Sequence, residues 1–434
     1  MSARPLNVIL VISHDLGHQM SCYGVPGMRT ENWDAFAEQG VRFSNYFCTA
    51  PQCSPSRSAI FTGRFPHANG VVGLAHAGFQ NDLNPGERHL AQILAEAGYQ
   101  THLFGHQHAS PSDERCGFQQ SHGTGPCGVV AEEAAAFLRE WSPEDGPLFV
   151  EAAFSEPHRP FRHDDVEELD PADVWVPPYL PDIPEVRENL VDFEASACSA
   201  DRAFGKIVAA LEETGRFEDS IVLYTVDHGI AFPYSKMTLY DPGLETALLM
   251  RVPGIEGGAV HDCMLSNVDL LPTLLDLLGL PVPENVQGRT FKGLLTDEAY
   301  APREAIYGEK TYHTYYDPMR CIRTERWKLI ANFEYTLQQE STHDFDSNAR
   351  SYVEIAKAKP PFCQYHPPYE LYDLQVDPHE QHTLADDPAY AEVRDGLIGR
   401  LHQWMVDTGD PLLDGPMAQG TYRARMAAFK ETAG

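Results

Sequence analysis

The chain has 434 residues, 43% of them hydrophobic, enough to bury a large core in two or three domains or in one large α/β domain with an appendage. A formal net charge of −31 argues against nucleic acid and anionic membrane surfaces as partners; a long polyanion would be repelled, and a small anion is the easier ligand. No apolar run approaches membrane-spanning length, and the nine cysteines, an odd count without Cys-x-x-Cys pairs, fit reduced thiols. With no secretory signal pattern at Met1 to Pro5, the expected location is cytoplasmic, although a processed periplasmic chain would read the same way.

Leu6 to Ile12 is a continuous apolar, β-branched run, as expected for a strand buried on both faces in a parallel sheet, and it ends at Ser13-His14-Asp15. Thr30 precedes a helix over residues 32–39 that stops at Gly40. A helix is expected to open at Ser58 to Phe61, bringing helix-terminal amides near Cys53, where they favour negative charge. A further helix over 88–97 leads to a second strand at 99–104, which runs out into Gly105-His106-Gln107-His108. After a helix over 129–141, a third strand at 148–154 ends in Ser155-Glu156-Pro157-His158-Arg159. Residues 160–188 hold six prolines and read as a long surface excursion that walls a pocket. A helix over 189–213 and a fourth strand at 220–226 lead to Asp227-His228-Gly229.

Each of the four strands thus ends in imidazole, carboxylate or both. In open α/β sheets ligands bind beyond the carboxyl ends of the strands, so these residues are expected to meet in one crevice. A helix over 267–278 follows, and then the texture changes. Arg320 to Ile330 alternates like a hairpin, Pro360-Pro361 and Pro367-Pro368 bracket an irregular segment, Glu370 to Leu374 is a short strand, and a helix over 389–408 precedes a weakly patterned tail. The expected division is a catalytic unit over 1–315 and a smaller unit over 316–434.

Cys53-Ser54-Pro55-Ser56-Arg57 has a spacing that neither a zinc knot nor a disulfide framework explains. Pro55 sets one backbone torsion and Arg57 brings a permanent cation back toward the thiol, which suits a residue that handles an anion. Taken alone, a buried thiol beside a surface arginine is the plainer reading. With Ile60-Phe61-Thr62-Gly63-Arg64 behind it, however, the stretch resembles the signature of the type I sulfatases, in which the cysteine is oxidised to formylglycine. Gly105 to His108, Pro157-His158-Arg159, Asp227-x-Gly with Lys236, Pro318-Met319-Arg320, and Glu370 to Asp373 with Asp377-Pro378-x-Glu380 extend the resemblance along the chain, toward the sulfamidase branch of that family.

The resemblance implies an alkaline-phosphatase-like α/β/α sandwich with a large, mostly parallel sheet, plus a smaller C-terminal α+β unit with an antiparallel sheet. It implies a divalent metal held by His14, Asp15, Asp227 and His228 beside the converted Cys53. Calcium is the family's usual ion, but His14 stands where an aspartate is usual, and two imidazoles make manganese, zinc or iron serious candidates. The alternative is that His14 does not ligate and bonds to a neighbour. By the same resemblance Arg57 activates the nucleophile, His108 assists sulfate release, His158 protonates the leaving atom, and Lys236 binds sulfate oxygens. His106 occupies a position where the family usually has a sulfate-binding lysine, and Glu309, His313 and Arg320 fall in a sugar-facing stretch; Arg320 could equally pair with a carboxylate of the first unit. The implied partners are a small sulfated substrate, such as a sulfated sugar, and a formylglycine-generating maturation enzyme. The competing readings are a phosphonate monoester or phosphodiester hydrolase of the same superfamily, and a catalytically silent metal-binding homologue.

Overall fold

The computed structural model describes residues 5–433 apart from 77, 164–165, 297 and 337–364, so the Pro360-Pro361 turn signal lies outside the described residues. Strands β1 (Asn7–Ser13), β2 (Val41–Phe47), β3 (Gln100–Gly105), β4 (Gln120–Ser121), β5 (Leu148–Ala153), β6 (Ser220–Val226), β7 (Glu245–Arg251) and β8 (Ala259–His261) form one sheet in the order β4-β3-β5-β1-β6-β7-β2-β8, and β9 (Leu265–Ser266) pairs with β2. β1 lies between β5 and β6, parallel to both, with every residue buried. Val8, Leu10 and Ile12 enter one apolar layer, and Ile9 and Val11 the other. That two-sided burial is why the segment reads as an unbroken apolar run rather than an alternating one.

The helices that matter are α1 (Glu31–Gln39), α2 (Cys53–Thr62), α3 (Leu90–Glu96), α4 (Cys127–Glu140), α5 (Pro184–Glu213) and α6 (Leu270–Leu277). α1, α4 and α5 cover the face of Ile9 and Val11, while α2, α3 and α6 cover the face of Val8 and Leu10. The result is the α/β/α sandwich that the resemblance implies, built on the α/β sheet expected from the alternating strand and helix pattern. α5 begins at Pro184 rather than Asn189. A first-turn proline is tolerated because its missing N–H would have no intrahelical partner.

β2 and β7 were not expected. β2 mixes Arg42, Ser44 and Asn45 with its apolar residues, and β7 opens on Glu245, so neither shows the unbroken run of β1. β7 runs antiparallel to both neighbours, β6 and β2. A second, antiparallel sheet has the order β10 (Ile306–Tyr312), β11 (Tyr316–Arg323), β12 (Trp327–Asn332) and β13 (Tyr369–Asp373). The expected hairpin is β11–β12, but the sheet starts at Ile306, ahead of the boundary placed at residue 315, because Gly308, Glu309 and Lys310 break up the apolar pattern of β10. Helix α7 (Ala391–Thr408) packs Leu397, Leu401 and Trp404 against Ile322 and Leu329 of this sheet. The tail forms a mostly exposed helix α8 (Gly420–Ala433). Among the described residues no helix is long and apolar enough to cross a membrane.

Candidate active site

Ser13 at the end of β1 and Val226 at the end of β6 are register partners, so His14-Asp15 and Asp227-His228 leave the sheet side by side. Asp15 turns out of the strand with φ of +53°, a left-handed conformation uncommon for a non-glycine residue and typical of functional sites. Cys53 is the first residue of α2, so the helix opens five residues earlier than expected and the thiol itself sits in the first turn. There the free amides and the helix dipole favour negative charge.

Ligand atoms of His14, Asp15, Cys53, Asp227 and His228 all lie within 4.8 Å of one another, and all five residues are buried. His228 Nε2 is 3.4 Å from Cys53 Sγ and 3.2 Å from Asp15 Oδ1. His14 Nδ1 is 3.2 Å from both Asp15 Oδ1 and Asp227 Oδ2. Asp227 Oδ1 accepts from the amides of Asp15 (3.0 Å) and His228 (2.9 Å), which pins the carboxylate. Behind it, Ser56 Oγ donates to the Asp227 carbonyl at 2.5 Å and accepts from Asn267 Nδ2 at 3.0 Å.

The chemistry of this donor set fits a cation. His228 Nδ1 lies 2.9 Å from the Gly229 carbonyl, which can only accept, so Nδ1 donates to it and Nε2 is the nitrogen turned toward the site. Nε2 faces a carboxylate oxygen and the Cys53 sulfur, three atoms of the kind that ligate a positive ion. Burial, reinforced by Arg57, lowers the His14 pKa to about 4 against the opposing pull of Asp227 and Asp15, so its ring is neutral near pH 7. Burial alone would raise the two aspartates. Lys236, His158 and His228 nevertheless hold Asp15 well below the usual carboxylate range, and His14, His228 and Arg57 do the same for Asp227.

Arg57 and Lys236 are both completely buried, each on one of these carboxylates: Arg57 Nε is 3.1 Å from Asp227 Oδ2 and Lys236 Nζ is 2.7 Å from Asp15 Oδ2. Arg57 also donates to the His106 carbonyl at 3.3 Å. Lys236, expected as a free point charge for sulfate, therefore has Asp15 as its immediate partner. His158 stands between two cis peptide bonds, Glu156-Pro157 and Arg159-Pro160. Its Nδ1 donates to the Arg159 carbonyl at 2.5 Å, leaving Nε2 3.8 Å from Asp15 Oδ2. His108 Nδ1 is 3.4 Å from His14 Nε2, and burial, with His14, His106, Arg57 and His76 around it, keeps its ring neutral.

A cavity of about 300 Å³ opens over Cys53. Its lining carries six imidazoles, those of His14, His76, His106, His108, His158 and His313, with Leu74 and Phe154 as apolar patches. Among the described residues no lysine, arginine or carboxylate lines it. The structure thus brings His106 and His313 to the cavity but not Arg320. That side chain is fully buried on Asp410 (Nε to Oδ2 2.6 Å) with Glu309 at 3.4 Å, the structural alternative weighed for it, and Glu309 in turn binds His67 at 2.7 Å. The proline-rich excursion walls a different cavity, through Trp175, Pro178 and Tyr179. His76 was missed: no apolar strand precedes it, so the strand-end rule that marked the other histidines gave no signal.

A family model described as Sulfatase matches residues 6–280, and one described as N-sulphoglucosamine sulphohydrolase, C-terminal, matches residues 227–359. The chain is 27% identical over 466 aligned residues to N-sulphoglucosamine sulphohydrolase of Homo sapiens, covering 95% of this chain and 92% of that one. In fold it is similar to an enzyme solved with its substrate D-glucosamine-2-N,6-O-disulfate (TM-score 0.72, 19% identity, 94% and 99% of the two chains). It is also similar in fold to a phosphonate monoester hydrolase from Silicibacter pomeroyi (TM-score 0.74, 20% identity, 93% and 96%).

Proposed function

We propose that this chain, which belongs to the sulfatase family, hydrolyses a small sulfated substrate, a sugar sulfate ester or sulfamate, at residue 53. The observation that carries the reading is the convergence of His14, Asp15, Asp227 and His228 on Cys53 at a helix N-terminus. The family implies a divalent metal and a formylglycine made from the signature cysteine by a maturation enzyme. Those four side chains would hold the metal, with the converted residue 53 beside it. When bound, metal and hydrated formylglycine supply an activated hydroxyl as nucleophile. Two imidazoles in the donor set are softer than calcium's usual all-oxygen shell, which supports manganese, zinc or iron.

The chain's own residues account for the rest. Arg57 and Lys236 fix the orientation of the two carboxylates and offset their charge, so the pocket above can accept an anion. His158 donates Nδ1 to a carbonyl and has Nε2 3.8 Å from Asp15 Oδ2, and it is the imidazole assigned to protonate the departing oxygen or nitrogen. His108, kept neutral by burial, is the residue that the family resemblance assigns to sulfate release. Burial of the site excludes bulk water from the reacting atoms.

Parallel assays with an aryl sulfate, glucosamine N-sulfate and an aryl phosphonate test this reading. Turnover of either sulfated compound ahead of the phosphonate is expected. Faster turnover of the phosphonate would replace it with the phosphonate hydrolase reading, which the shared fold keeps as the alternative.

A further inference from the structure

Residues on either side of Cys53 are tied to separate segments of the cavity lining. Gln52 Nε2 donates to the Tyr312 carbonyl at 2.8 Å, which fixes the chain immediately before His313. Ser54 Oγ accepts from the Ala75 amide at 3.0 Å, which fixes the chain immediately before His76. The two segments are also joined directly, since the Tyr312 amide donates to the Val72 carbonyl at 3.1 Å. Gly73 sits so close that an added Cβ would lie 2.8 Å from Tyr312 Cβ. Asn81 clamps the loop from its other side: its Nδ2 donates to the Leu74 carbonyl at 3.0 Å, and its Oδ1 accepts from the Gly420 amide at 3.2 Å. The His76 ring then stacks on His108, with centroids 5.5 Å apart and planes at 24°.

The geometry points to His76 and His313 as specificity-determining residues that hydrogen-bond hydroxyls of an uncharged, sugar-sized leaving group. This rests on the sulfatase reading above. Imidazole nitrogens can donate to or accept from a hydroxyl, which offers one donor and one acceptor in return, and His313 Nδ1 lies 3.2 Å from Thr314 Oγ1. Leu74 and Phe154 supply apolar surface for the C–H face of a ring. Among the described residues no lysine, arginine or carboxylate lines the cavity, so a second sulfate or a carboxylate on the leaving group would find no guanidinium or ammonium partner among them. Both histidines are positioned from the nucleophile's own neighbours, so hydroxyl recognition is keyed to the position of the reacting atom.

The test compares glucosamine N-sulfate with 4-nitrophenyl sulfate, whose leaving group carries no additional hydroxyls. In His76→Ala and His313→Ala the ratio of kcat/KM for the sugar to that for the aryl ester is expected to fall at least about tenfold, with partial recovery in His76→Asn. A ratio within about threefold of the parent's in both alanine variants would overturn the proposal. The second arm reads binding without turnover: in a Cys53→Ala background, calorimetry measures glucosamine N-sulfate and inorganic sulfate with and without His76→Ala. A selective loss of sugar affinity supports the role, and equal loss of both assigns His76 to the anion instead and overturns it. Failure of the sulfatase reading would appear separately, as preferred turnover of a phosphonate by the parent enzyme.

Discussion

Lys236→Met isolates the charge balance beneath the site. Lys236 Nζ and Asp15 Oδ2 are 2.7 Å apart and neither side chain is exposed. At an effective dielectric constant near 20, unit charges at that distance attract by about 6 kcal/mol, a gross figure from which desolvation must be subtracted. Removing one partner of a buried pair costs about 3–5 kcal/mol, because the other charge is left uncompensated. If Asp15 also faces a divalent ion, that ion restores part of the lost compensation. Urea unfolding of Lys236→Met is therefore expected to show a loss of about 3–5 kcal/mol in chelator and a clearly smaller loss with saturating metal. Equal losses in the two conditions would refute the argument that Asp15 belongs to the cation site. A loss under about 1 kcal/mol in chelator would refute the ion-pair argument itself.

Other expectations follow from the same geometry. His158→Ala is expected to lower kcat about 10²–10⁴-fold for a sugar sulfate and far less for 4-nitrophenyl sulfate, whose leaving group needs no proton; equal losses across a leaving-group series would exclude general acid action. Asp410→Ala removes the nearer carboxylate of the fully buried Arg320 and leaves Glu309 at 3.4 Å as its partner, so it is expected to cost about 1.5–3 kcal/mol of stability by urea unfolding while leaving KM in place; a changed KM with unchanged stability would return Arg320 to the substrate pocket. Glu151, buried on β5 with both carboxylate oxygens unpaired, has its pKa pushed up to about 8 by burial, with Arg57 opposing and Asp113 adding to the rise. A folded pKa above the unfolded one means that the contribution is fully present below about pH 4.5 and is lost as pH rises toward 8. Glu151→Gln is thus expected to gain stability relative to the parent at pH 8 and to gain none at pH 4.5, as read by unfolding at both pH values; a pH-independent difference would contradict it.

The α/β sheet was legible because β1 and β6 are largely apolar runs, and the four strand-end clusters announced where the crevice would be. β2, β7 and β10 were not, since their register depends on neighbours rather than on local pattern. Cys53 and its four proposed metal partners were legible through the family resemblance, with the strand-end positions of His14, Asp15, Asp227 and His228 in support, and the structure does bring them together. Two features of the site required coordinates. Lys236 reads in sequence as a point charge for sulfate and Arg320 as either a sugar-facing or a structural cation, and only the fold reveals the carboxylates beside them. His76 lies on a loop whose path is set by Ser54, Asn81 and the far C-terminal Gly420, contacts that no local pattern encodes.

The central claim is that residue 53 is converted and works beside a cation. Mass spectrometry of the peptide containing residues 53–57, from protein purified out of its native host, tests it most directly. The account predicts the mass of the aldehyde or its hydrate at position 53; an unaltered thiol throughout the population would contradict it.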